Sequence, residues 1–257
     1  MATYTTEIAS DKIPSDNPIH QRLLQAYYLA KPFVKGNLLE LGCGEGRGVE
    51  LLSPLAESYL ALDKIQEVIN RLKEKYPDVK FEQAVFPPFK NLADNSFDSI
   101  VSFQVIEHVK DDHGFLKEIH RVLKPGGVAV LTTPNIKMTL TRNPWHVREY
   151  TAQQLTDLAA KYFPKVTMKG VGGNEKVMTY YEQNKKSVQR ITRFDIFNFQ
   201  YLMPAPMLRI PYDILNRMNR NKLSASNTGL VAEIVHDDYE LVEDGDKALD
   251  LFLILEK

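Results

Sequence analysis

The stretch LLELGCGEG, residues 38–46, determines the fold predicted for this chain. A short, mostly apolar run over 38–41 ends in a cluster of three glycines, and apolar residues at helical spacing follow from Val49. We expect a buried strand, a glycine turn and a helix, because parallel strands are typically continuous apolar runs. Glycines at such a turn let the backbone approach a ligand, and the helix N-terminus offers N–H donors. The stretch predicts a nucleotide-type site at the carboxyl end of the strand.

A carboxylate follows the next predicted strand. The run over 59–62 ends at Asp63, which lies 21 residues after Gly42. A carboxylate in this position can accept hydrogen bonds from both hydroxyls of a ribose, although it could also only cap the next helix. A dinucleotide fingerprint would need a glycine at position 47, where the chain has Arg47. This residue counts against a dehydrogenase.

Strands alternate with helices over the first half of the chain. The predicted strands are 38–41, 59–62, 79–82, 97–103 and 128–131, and the predicted helices are 49–55, 65–75 and 115–123. A helix over 151–162 and a strand over 166–169 follow. Such alternation implies a parallel sheet covered on both faces, and right-handed crossovers make it a doubly wound α/β fold.

The composition excludes several classes of protein. Of 257 residues, 44% are hydrophobic and 25% are charged, as in an ordinary globular protein, and the net charge of −1 gives no overall attraction for nucleic acid. No apolar run approaches the roughly 20 residues that span a bilayer. The N-terminal MATYTTEIASDK lacks the basic and apolar regions of a signal peptide. With Cys43 as the single cysteine, we expect a cytoplasmic protein without stable membrane insertion.

The chain resembles the class I S-adenosylmethionine-dependent methyltransferases over roughly residues 36–135. The matching stretches are LLELGCGEG, LALD, FDSIVSFQVIEHV and LKEIHRVLKPGGVAVLTTPN, in the family's order and spacing. The resemblance implies a Rossmann-like, mostly parallel seven-stranded sheet, with an α-rich insertion before the last strand. It implies S-adenosylmethionine as the cofactor.

The same resemblance implies the cofactor-binding residues. Glu40 would hold the amino end of the cofactor, Asp63 the ribose, and an apolar wall the adenine. The full predicted set is Glu40, Gly42, Cys43, Gly44, Asp63, Lys64, Ile65, Phe86 and Gln104. Many family members carry an aspartate at the exit of the third strand, where this chain has Val85. We read Cys43 as a wall residue and not as a nucleophile, because nothing beside it in sequence supplies a base.

The first candidate catalytic group is QVIEH, which leaves the fourth strand. It is similar to the E-x-x-E-H pattern of ubiquinone-biosynthetic O-methyltransferases, which can hold a divalent metal. Here Gln104 replaces the first glutamate, so we assign no metal. Glu107 and His108 are candidate acid–base residues. The structural alternatives are a first-turn helix acid for Glu107 and a histidine that bonds the backbone at a helix start for His108.

The second candidate catalytic group is NPWHVREY, residues 143–150, which follows the fifth strand. Similar segments occur in bacterial methyltransferases often found with sugar and envelope biosynthesis. His146 could orient or deprotonate a hydroxyl group of the acceptor. The alternative is a stabilising turn in which Glu149 and Tyr150 satisfy neighbouring polar groups.

The second half of the chain has an unusual charge distribution. Residues 185–222 hold eight basic and two acidic residues among the aromatic side chains Phe194, Phe197, Phe199, Tyr201 and Tyr212. The last 25 residues hold nine acidic and two basic residues and end in the apolar LDLFLILEK. We divide the chain into an N-terminal helical cover (1–35), a cofactor-binding core (36–173), a basic aromatic insertion acting as a substrate lid (174–230) and a C-terminal strand region completing the sheet (231–257).

These observations predict a methyltransferase acting on a small-molecule acceptor, most simply a hydroxyl of a metabolite or of a glycan or lipid precursor. The basic insertion favours a phosphate-bearing acceptor, although such a stretch is also typical of a solvated face. In that second reading Arg209, Arg217 and Arg220 lie on an exposed face. The alternatives are an N-methyltransferase and a non-catalytic cofactor-binding interaction module. No recognised RNA module is present, so we expect no nucleic-acid partner.

Overall fold

The computed structural model describes residues 13–195 and 198–257. The N-terminal stretch examined for a signal peptide and Phe197 of the aromatic set lie outside the described residues. Eight strands form one sheet in the order β3-β2-β1-β4-β5-β8-β6-β7. They are β1 (Asn37–Leu41), β2 (Ser58–Asp63), β3 (Lys80–Gln83), β4 (Phe97–Phe103), β5 (Leu123–Pro134), β6 (Lys165–Gly173), β7 (Tyr239–Val242) and β8 (Asp250–Glu256).

Strands β1 to β5 run parallel, whereas β8 is antiparallel to both β5 and β6. The helices are α1 (Asn17–Ala30), α2 (Val49–Leu52), α3 (Gln66–Lys75), α4 (Asp112–Val122), α5 (Ala152–Ala159), α6 (Glu175–Thr192), α7 (Phe199–Leu202), α8 (Ala205–Ser226) and α9 (Thr228–Glu233). The predicted doubly wound α/β fold is confirmed. No helix within the described ranges has the length and apolar character needed to cross a membrane.

The sheet has eight strands where seven were predicted. The additional strand is β7, a four-residue edge strand that pairs antiparallel with β6. It lies in the acidic C-terminal stretch, and its sequence, YELV, is too short to show a period. The predicted C-terminal strand is present as β8, which lies between β5 and β6.

The break predicted at Pro125-Gly126-Gly127 lies inside β5 and not before it. Gly126 has a φ of +76°, a conformation that glycine adopts without strain, and its N–H donates to the carbonyl of Lys257 at 2.8 Å. The pairing of β4 with β5 shifts register at this place. The strand therefore starts at Leu123, earlier than the sequence pattern indicates.

Buried side chains cover both faces of the sheet, as the alternation of a strand requires. Along β8, Leu251, Leu253 and Leu255 belong to the buried apolar cluster that includes residues of α4 and α5, and Phe252 and Ile254 belong to the cluster on the other face, which includes residues of α1 and α6. Each of these five residues is buried. The two layers hold the sheet rigid, so that the loops at the carboxyl ends of the strands are fixed relative to one another.

Candidate functional site

The turn after β1 has the backbone that its glycines predict. Gly42, Gly44 and Gly46 have φ values of +79°, +50° and +78°, in the left-handed region. A Cβ on Gly42 would lie 2.4 Å from a methyl carbon of Val105, and one on Gly46 would lie 2.5 Å from a methyl carbon of Leu72. No atom outside the turn occupies the space at Gly44. Glycine is required at the first and third positions by packing and at all three by conformation.

Asp63 joins the end of β2 to this turn. Its carboxylate accepts the N–H of Gly44 and the N–H of Ile65, each at 2.9 Å, one on each oxygen. A carboxylate oxygen has a second lone pair, so both oxygens can still accept a ligand's hydroxyl groups. The alternative of a helix cap is also present, because Ile65 is the N-cap of α3. Asp63 therefore organises the turn and faces the same cavity as the turn.

That cavity, which we call the glycine-turn cavity, has a volume of 250 Å³. Eight of the nine predicted cofactor-binding residues line it: Gly42, Cys43, Gly44, Asp63, Lys64, Ile65, Phe86 and Gln104. Leu23 and Tyr27 of α1 line it too. These two residues were not predicted, because no motif in α1 indicates that its side chains reach the carboxyl ends of the strands.

Glu40 is the predicted residue that does not line the cavity. It is buried behind the wall, where its carboxylate accepts hydrogen bonds from the hydroxyls of Tyr27 (2.6 Å) and Tyr59. Burial raises the pKa of Glu40, and the two phenol hydrogen bonds oppose this rise. The structure thus places Tyr27, and not Glu40, on the cavity surface.

Cys43 forms part of the wall. Only 2% of it is exposed, and burial raises the pKa of its thiol, with Glu40 and Asp63 adding to the effect. A nucleophilic cysteine needs the opposite shift. The surroundings of Cys43 suit the reading of a wall residue.

The far end of the glycine-turn cavity is apolar. Phe86 stacks against Phe115 with ring centroids 5.8 Å apart, and it lines the cavity with Ile65. Val85, at the position where many family members carry an aspartate, also lines the cavity but is 75% exposed. This end offers stacking surface and no carboxylate from the third-strand exit.

A second cavity, of 280 Å³, lies beside the first and is called here the aromatic cavity. Four tyrosines line it, namely Tyr180, Tyr181, Tyr212 and Tyr239, together with the candidate catalytic residues Glu107, His108 and His146. Leu23, Gln104 and His108 line both cavities. The two cavities therefore meet at the tip of β4.

Gln104 stands at this meeting point in an unusual conformation. Its φ is +57°, which is uncommon for a residue with a side chain. Its N–H donates to the carbonyl of Thr132 at 2.9 Å, and its side-chain amide donates to the hydroxyl of Thr132 at 3.3 Å. Such strain persists where the surroundings fix it, and it is frequent at functional sites.

His108 is oriented by a backbone group. Its Nδ1 lies 2.9 Å from the carbonyl oxygen of Trp145, and a carbonyl can only accept a hydrogen bond. Nδ1 therefore carries a proton, and in the neutral ring Nε2 has the lone pair. This is the tautomer that a general base needs, with the ring on the boundary of the two cavities.

His146 is held on both sides. Nδ1 lies 2.6 Å from a carboxylate oxygen of Glu149, and Nε2 lies 2.8 Å from the side-chain nitrogen of Asn143. The side-chain oxygen of Asn143 accepts the N–H of Trp145, so the amide nitrogen faces His146. Nε2 of His146 thus accepts a hydrogen bond already. The ring contacts His108 edge to face, with centroids 5.0 Å apart.

Glu107 is buried beneath the two histidines. Its side chain accepts a hydrogen bond from the hydroxyl of Thr133 at 2.9 Å. Its backbone carbonyl accepts the N–H of Val147 at 2.7 Å, and this second bond joins the NPWHVREY segment to the tip of β4. Burial raises the pKa of Glu107 to about 7, although His146 opposes the rise. A carboxyl group with this pKa changes its charge near neutral pH.

Glu107, His108 and His146 could also hold a metal ion, since one ligand atom of each lies within 4.8 Å of the others. Nitrogen and oxygen donors of this kind suit several divalent metals. A metal on Nε2 of His146 would have to displace Asn143, however, and Nδ1 is held by Glu149. We therefore assign the three side chains no metal-binding role.

The insertion forms one wall of the aromatic cavity through Tyr212, Asn216 and Arg220 of α8. Their spacing of four residues places them on one helix face. The expectation of arginines on an exposed face is wrong for Arg217 and Arg220. Both pair with the fully buried Asp16, at 2.7 and 3.0 Å. The partner lies about 200 residues away in sequence, so no local pattern could indicate it.

Arg209, the third of these arginines, lies with its guanidinium over the ring of Trp145, 4.3 Å from the centroid. The indole N–H of Trp145 donates to Asp213 of α8 at 3.1 Å. Arg142 donates to the backbone carbonyls of Gln200 and Met203 at 2.9 and 3.0 Å. The insertion is thus attached to the segment that carries His146.

Residues 39–131 match a family model described as "Methyltransferase domain". Over 128 residues the chain is 38% identical to a protein of Mycolicibacterium smegmatis named "probable S-adenosylmethionine-dependent methyltransferase", covering 48% of this chain and 49% of that protein. A protein of the same name from Mycobacterium tuberculosis is 37% identical over 145 residues, or 54% and 52% of the two chains. The rat mitochondrial ubiquinone biosynthesis O-methyltransferase is 31% identical over 112 residues, 41% and 32% of the two chains. The chain spans about half the length of the mycobacterial relatives.

Solved structures share the fold over most of the chain. One from Thermotoga maritima, described as "SAM-dependent methyltransferase, possible histamine N-methyltransferase", has a TM-score of 0.59 at 16% identity and covers 95% of this chain and 91% of its own. The "[4+2]-Cyclase SpnF" has a TM-score of 0.53 at 16% identity and covers 92% and 81%. Likeness at this identity concerns the fold alone. Residues 39–131 thus match a methyltransferase domain, and the chain has the fold of the class I S-adenosylmethionine-dependent methyltransferases, as the resemblance predicts.

Proposed function

We propose that this chain is a methyltransferase that uses S-adenosylmethionine to methylate a hydroxyl group of a small molecule. The observation that carries the proposal is the position of His108, whose ring lies where the two cavities meet and whose Nδ1 is fixed by Trp145. The glycine-turn cavity would hold the cofactor and the aromatic cavity the acceptor.

The residues of the glycine-turn cavity fit this cofactor. The glycine turn lets the backbone approach the amino-acid end, and Asp63 has two carboxylate oxygens for the ribose hydroxyls. Ile65 and Phe86 offer an apolar surface for the adenine ring. Gln104 and Leu23, which line both cavities, would flank the methyl group.

The chemistry asked of the protein is modest. When bound, the cofactor would supply a sulfonium methyl group, and transfer of that methyl group to the acceptor oxygen would release the sulfur compound as the leaving group. The protein aligns the two reactants and accepts a proton. His108 would accept the proton of the acceptor hydroxyl group at Nε2. We assign His146 to orienting the acceptor and the ring of His108.

The charges of the aromatic cavity favour an acceptor without phosphate. Its two arginines are both paired with carboxylates: Arg22 with Asp250 at 3.1 Å and Arg220 with Asp16 at 3.0 Å. Neither arginine therefore provides an unpaired cation for a phosphate group. The four tyrosines and the amides of Asn184 and Asn216 suit a sugar or phenol with several hydroxyls. This differs from the phosphate-bearing acceptor that the basic composition favours.

We further propose that residues 174–230 act as a lid on the cofactor-binding core, residues 36–173. The N-terminal cover would then be residues 1–35, and the strand region that completes the sheet residues 231–257. The support is that α1 and α8 both line the aromatic cavity, from opposite ends of the chain. Loops and insertions on a rigid scaffold commonly carry specificity.

The test is transfer of a labelled methyl group from S-adenosylmethionine to a panel of acceptors. The panel contains sugars and phenols, their phosphorylated counterparts, and amines. We expect transfer to hydroxyl groups, with the unphosphorylated member of each pair preferred. Transfer to amines alone would replace the proposal with an N-methyltransferase. Cofactor binding with no transfer to any class would favour the interaction module.

Asp63→Ala tests the cofactor site. We expect S-adenosylhomocysteine to bind about ten- to a hundredfold more weakly, because hydrogen bonds to a charged group contribute about 1.5–3 kcal/mol. Titration calorimetry measures this, and Glu67→Gln on the outer face of α3 is the matched control. Unchanged affinity in a folded Asp63→Ala protein would remove Asp63 from the site.

A further inference from the structure

The outer face of α8 is apolar and exposed. Met207, Ile210, Ile214 and Met218 are 61%, 73%, 54% and 63% exposed, and they follow one another at spacings of three or four residues. Side chains at this spacing lie on one face of a helix, so the four form a continuous stripe. At 1.5 Å per residue the stripe is about 16 Å long. We call it the lid stripe.

Four polar residues of α8 have partners or contacts on its inner face. Asn216 and Arg220 line the aromatic cavity, Arg217 pairs with the buried Asp16, and Asn219 is itself buried. An ordinary surface helix has the reverse arrangement, with its apolar face toward the core. The inner contacts of α8 are satisfied by the protein, whereas the lid stripe contacts water. Exposed apolar surface of this extent typically marks an interaction site.

The lid stripe continues into a cationic cavity. Lys222 follows Met218 by one helical turn and lines a cavity of 210 Å³ between α6 and α8, together with Lys186 and Arg190. Ser187 and Ser226 also line this cavity, and no carboxylate does. The lid stripe thus ends at a cavity lined by three cations, which we call the cationic cavity.

Two of the four acidic residues of the insertion, Asp195 and Asp213, bind other groups of the chain. Asp195 accepts the N–H groups of Phe199 and Gln200 at 2.7 and 3.1 Å, and Asp213 accepts the indole N–H of Trp145. Among the described residues, the segment leading into α8 adds further exposed apolar side chains, namely Phe194, Tyr201 and Leu202. Lys186, Arg190 and Lys222 therefore give the cationic cavity its positive charge, and the lid stripe beside it is apolar.

We propose that the lid stripe and the cationic cavity dock on an anionic lipid bilayer. The stripe enters the boundary between headgroups and acyl chains, in the plane of the membrane, and Lys186, Arg190 and Lys222 bind lipid phosphates. Interfacial helices have this division of apolar and basic residues. A second copy of the chain would bring only further cations to this surface, whereas the bilayer brings phosphates. The docking face is opposite to the aromatic cavity, and its occupant does not depend on the methyl acceptor.

The test is flotation of the full chain with phosphatidylcholine vesicles, with and without about 30% phosphatidylglycerol. We expect binding only to the anionic vesicles, and release at about 0.5 M salt, where surface charges are screened. The double variant Ile210→Ser with Met218→Ser should bind at least about tenfold more weakly, since two apolar anchors are lost. Lys222→Glu should bind about fivefold or more weakly, because one cation near the surface is replaced.

Two variants control for nonspecific effects. Val235→Ser changes an exposed apolar residue outside the lid, and Lys117→Glu changes an exposed lysine of α4. Both should bind like the unchanged chain. Absence of binding to anionic vesicles, or binding that the lid-stripe variant does not weaken, would overturn the proposal. A dimer in sedimentation that Ile210→Ser with Met218→Ser dissociates, without vesicle binding, would assign the surface to a second copy instead.

Discussion

At the scale of single residues, the two histidines of the site differ in what their ring nitrogens can do. Nε2 of His146 accepts a hydrogen bond from Asn143, whereas His108 is held at Nδ1 by the carbonyl of Trp145 and its ring lines both cavities. We expect His108→Gln to lower kcat by about a hundred- to ten-thousandfold, the usual contribution of a general base. Cofactor affinity should change by less than about threefold, because the reacting proton is not part of cofactor binding.

His146→Gln is the comparison for this prediction. Glutamine can keep one of the contacts to Asn143 and Glu149, so kcat should fall less than in His108→Gln, with a larger effect on KM for the acceptor. Steady-state kinetics of both variants decide the assignment. A greater loss of kcat in His146→Gln would transfer the role of base to His146.

Glu107 makes stability depend on pH. Its pKa is raised by burial from the ordinary 4.5 to about 7 in the folded chain, so the folded state retains a proton that the unfolded state releases. The free energy of unfolding therefore falls as pH rises from about 4.5 to about 7. A glutamine at position 107 does not titrate. The free energy of unfolding of Glu107→Gln, measured relative to that of the unchanged chain, should therefore rise by about 3 kcal/mol over this pH range, because each unit of pKa difference corresponds to about 1.4 kcal/mol.

Urea unfolding at several pH values, with a chelator present, measures this difference. Glu67→Gln, an exposed carboxylate of α3, should run parallel to the unchanged chain at every pH. A constant difference between Glu107→Gln and the unchanged chain would contradict the prediction. It would mean that Glu107 is ionised in the folded state over this pH range.

At the scale of elements, α8 is fixed to the start of α1 by one carboxylate. Asp16 is fully buried and accepts from Arg217 and Arg220, whose side chains are only partly exposed. Asp16→Ala leaves both guanidinium groups without this carboxylate. We expect the free energy of unfolding to fall by on the order of 3 kcal/mol, because breaking a buried ion pair from one side leaves an uncompensated charge.

Glu182→Ala is the matched control within the insertion. It removes the partner of Lys185 in an exposed pair, and such pairs contribute about 0–1 kcal/mol. Chemical unfolding of both variants gives the comparison. Equal, small effects would show that the buried pair does not hold the insertion against the core. In that case the wall of the aromatic cavity formed by α8 would need another anchor.

At the scale of the whole molecule, ligand binding and folding are linked. The glycine-turn cavity is formed by α1, the turn after β1, the end of β2 and the tip of β4, which come together only in the folded chain. A ligand at about one hundred times its Kd stabilises the folded state by about 2.7 kcal/mol. For a chain of this size we expect S-adenosylhomocysteine to raise the Tm by about 5–10 °C under that condition.

NAD should leave the Tm unchanged, because Arg47 replaces the third glycine of the dinucleotide fingerprint. Thermal unfolding followed by circular dichroism measures both ligands. A rise in Tm with NAD and none with S-adenosylhomocysteine would contradict the cofactor assignment.

The parallel half of the fold could be predicted because its signals are local. Apolar runs, glycine turns and helical spacing located β1 to β5 and the turn at Gly42, and they placed Asp63 beside that turn. The strand β7 could not be predicted, since four residues at a sheet edge show no periodicity. The catalytic candidates were found because residues at the ends of neighbouring parallel strands meet at one sheet edge.

The amino-acid sequence by itself determined the doubly wound sheet and the glycine turn, and eight of the nine predicted cofactor-binding residues line the glycine-turn cavity. Only the tertiary structure decided that Glu40 lies behind the wall of the glycine-turn cavity and that Asn143 donates a hydrogen bond to Nε2 of His146. It also decided that Arg217 and Arg220 pair with Asp16. The physical reason is the distance along the chain between the groups that interact. Backbone conformation follows from neighbours in sequence, whereas burial, tautomer and charge pairing depend on atoms brought together from distant parts of the chain.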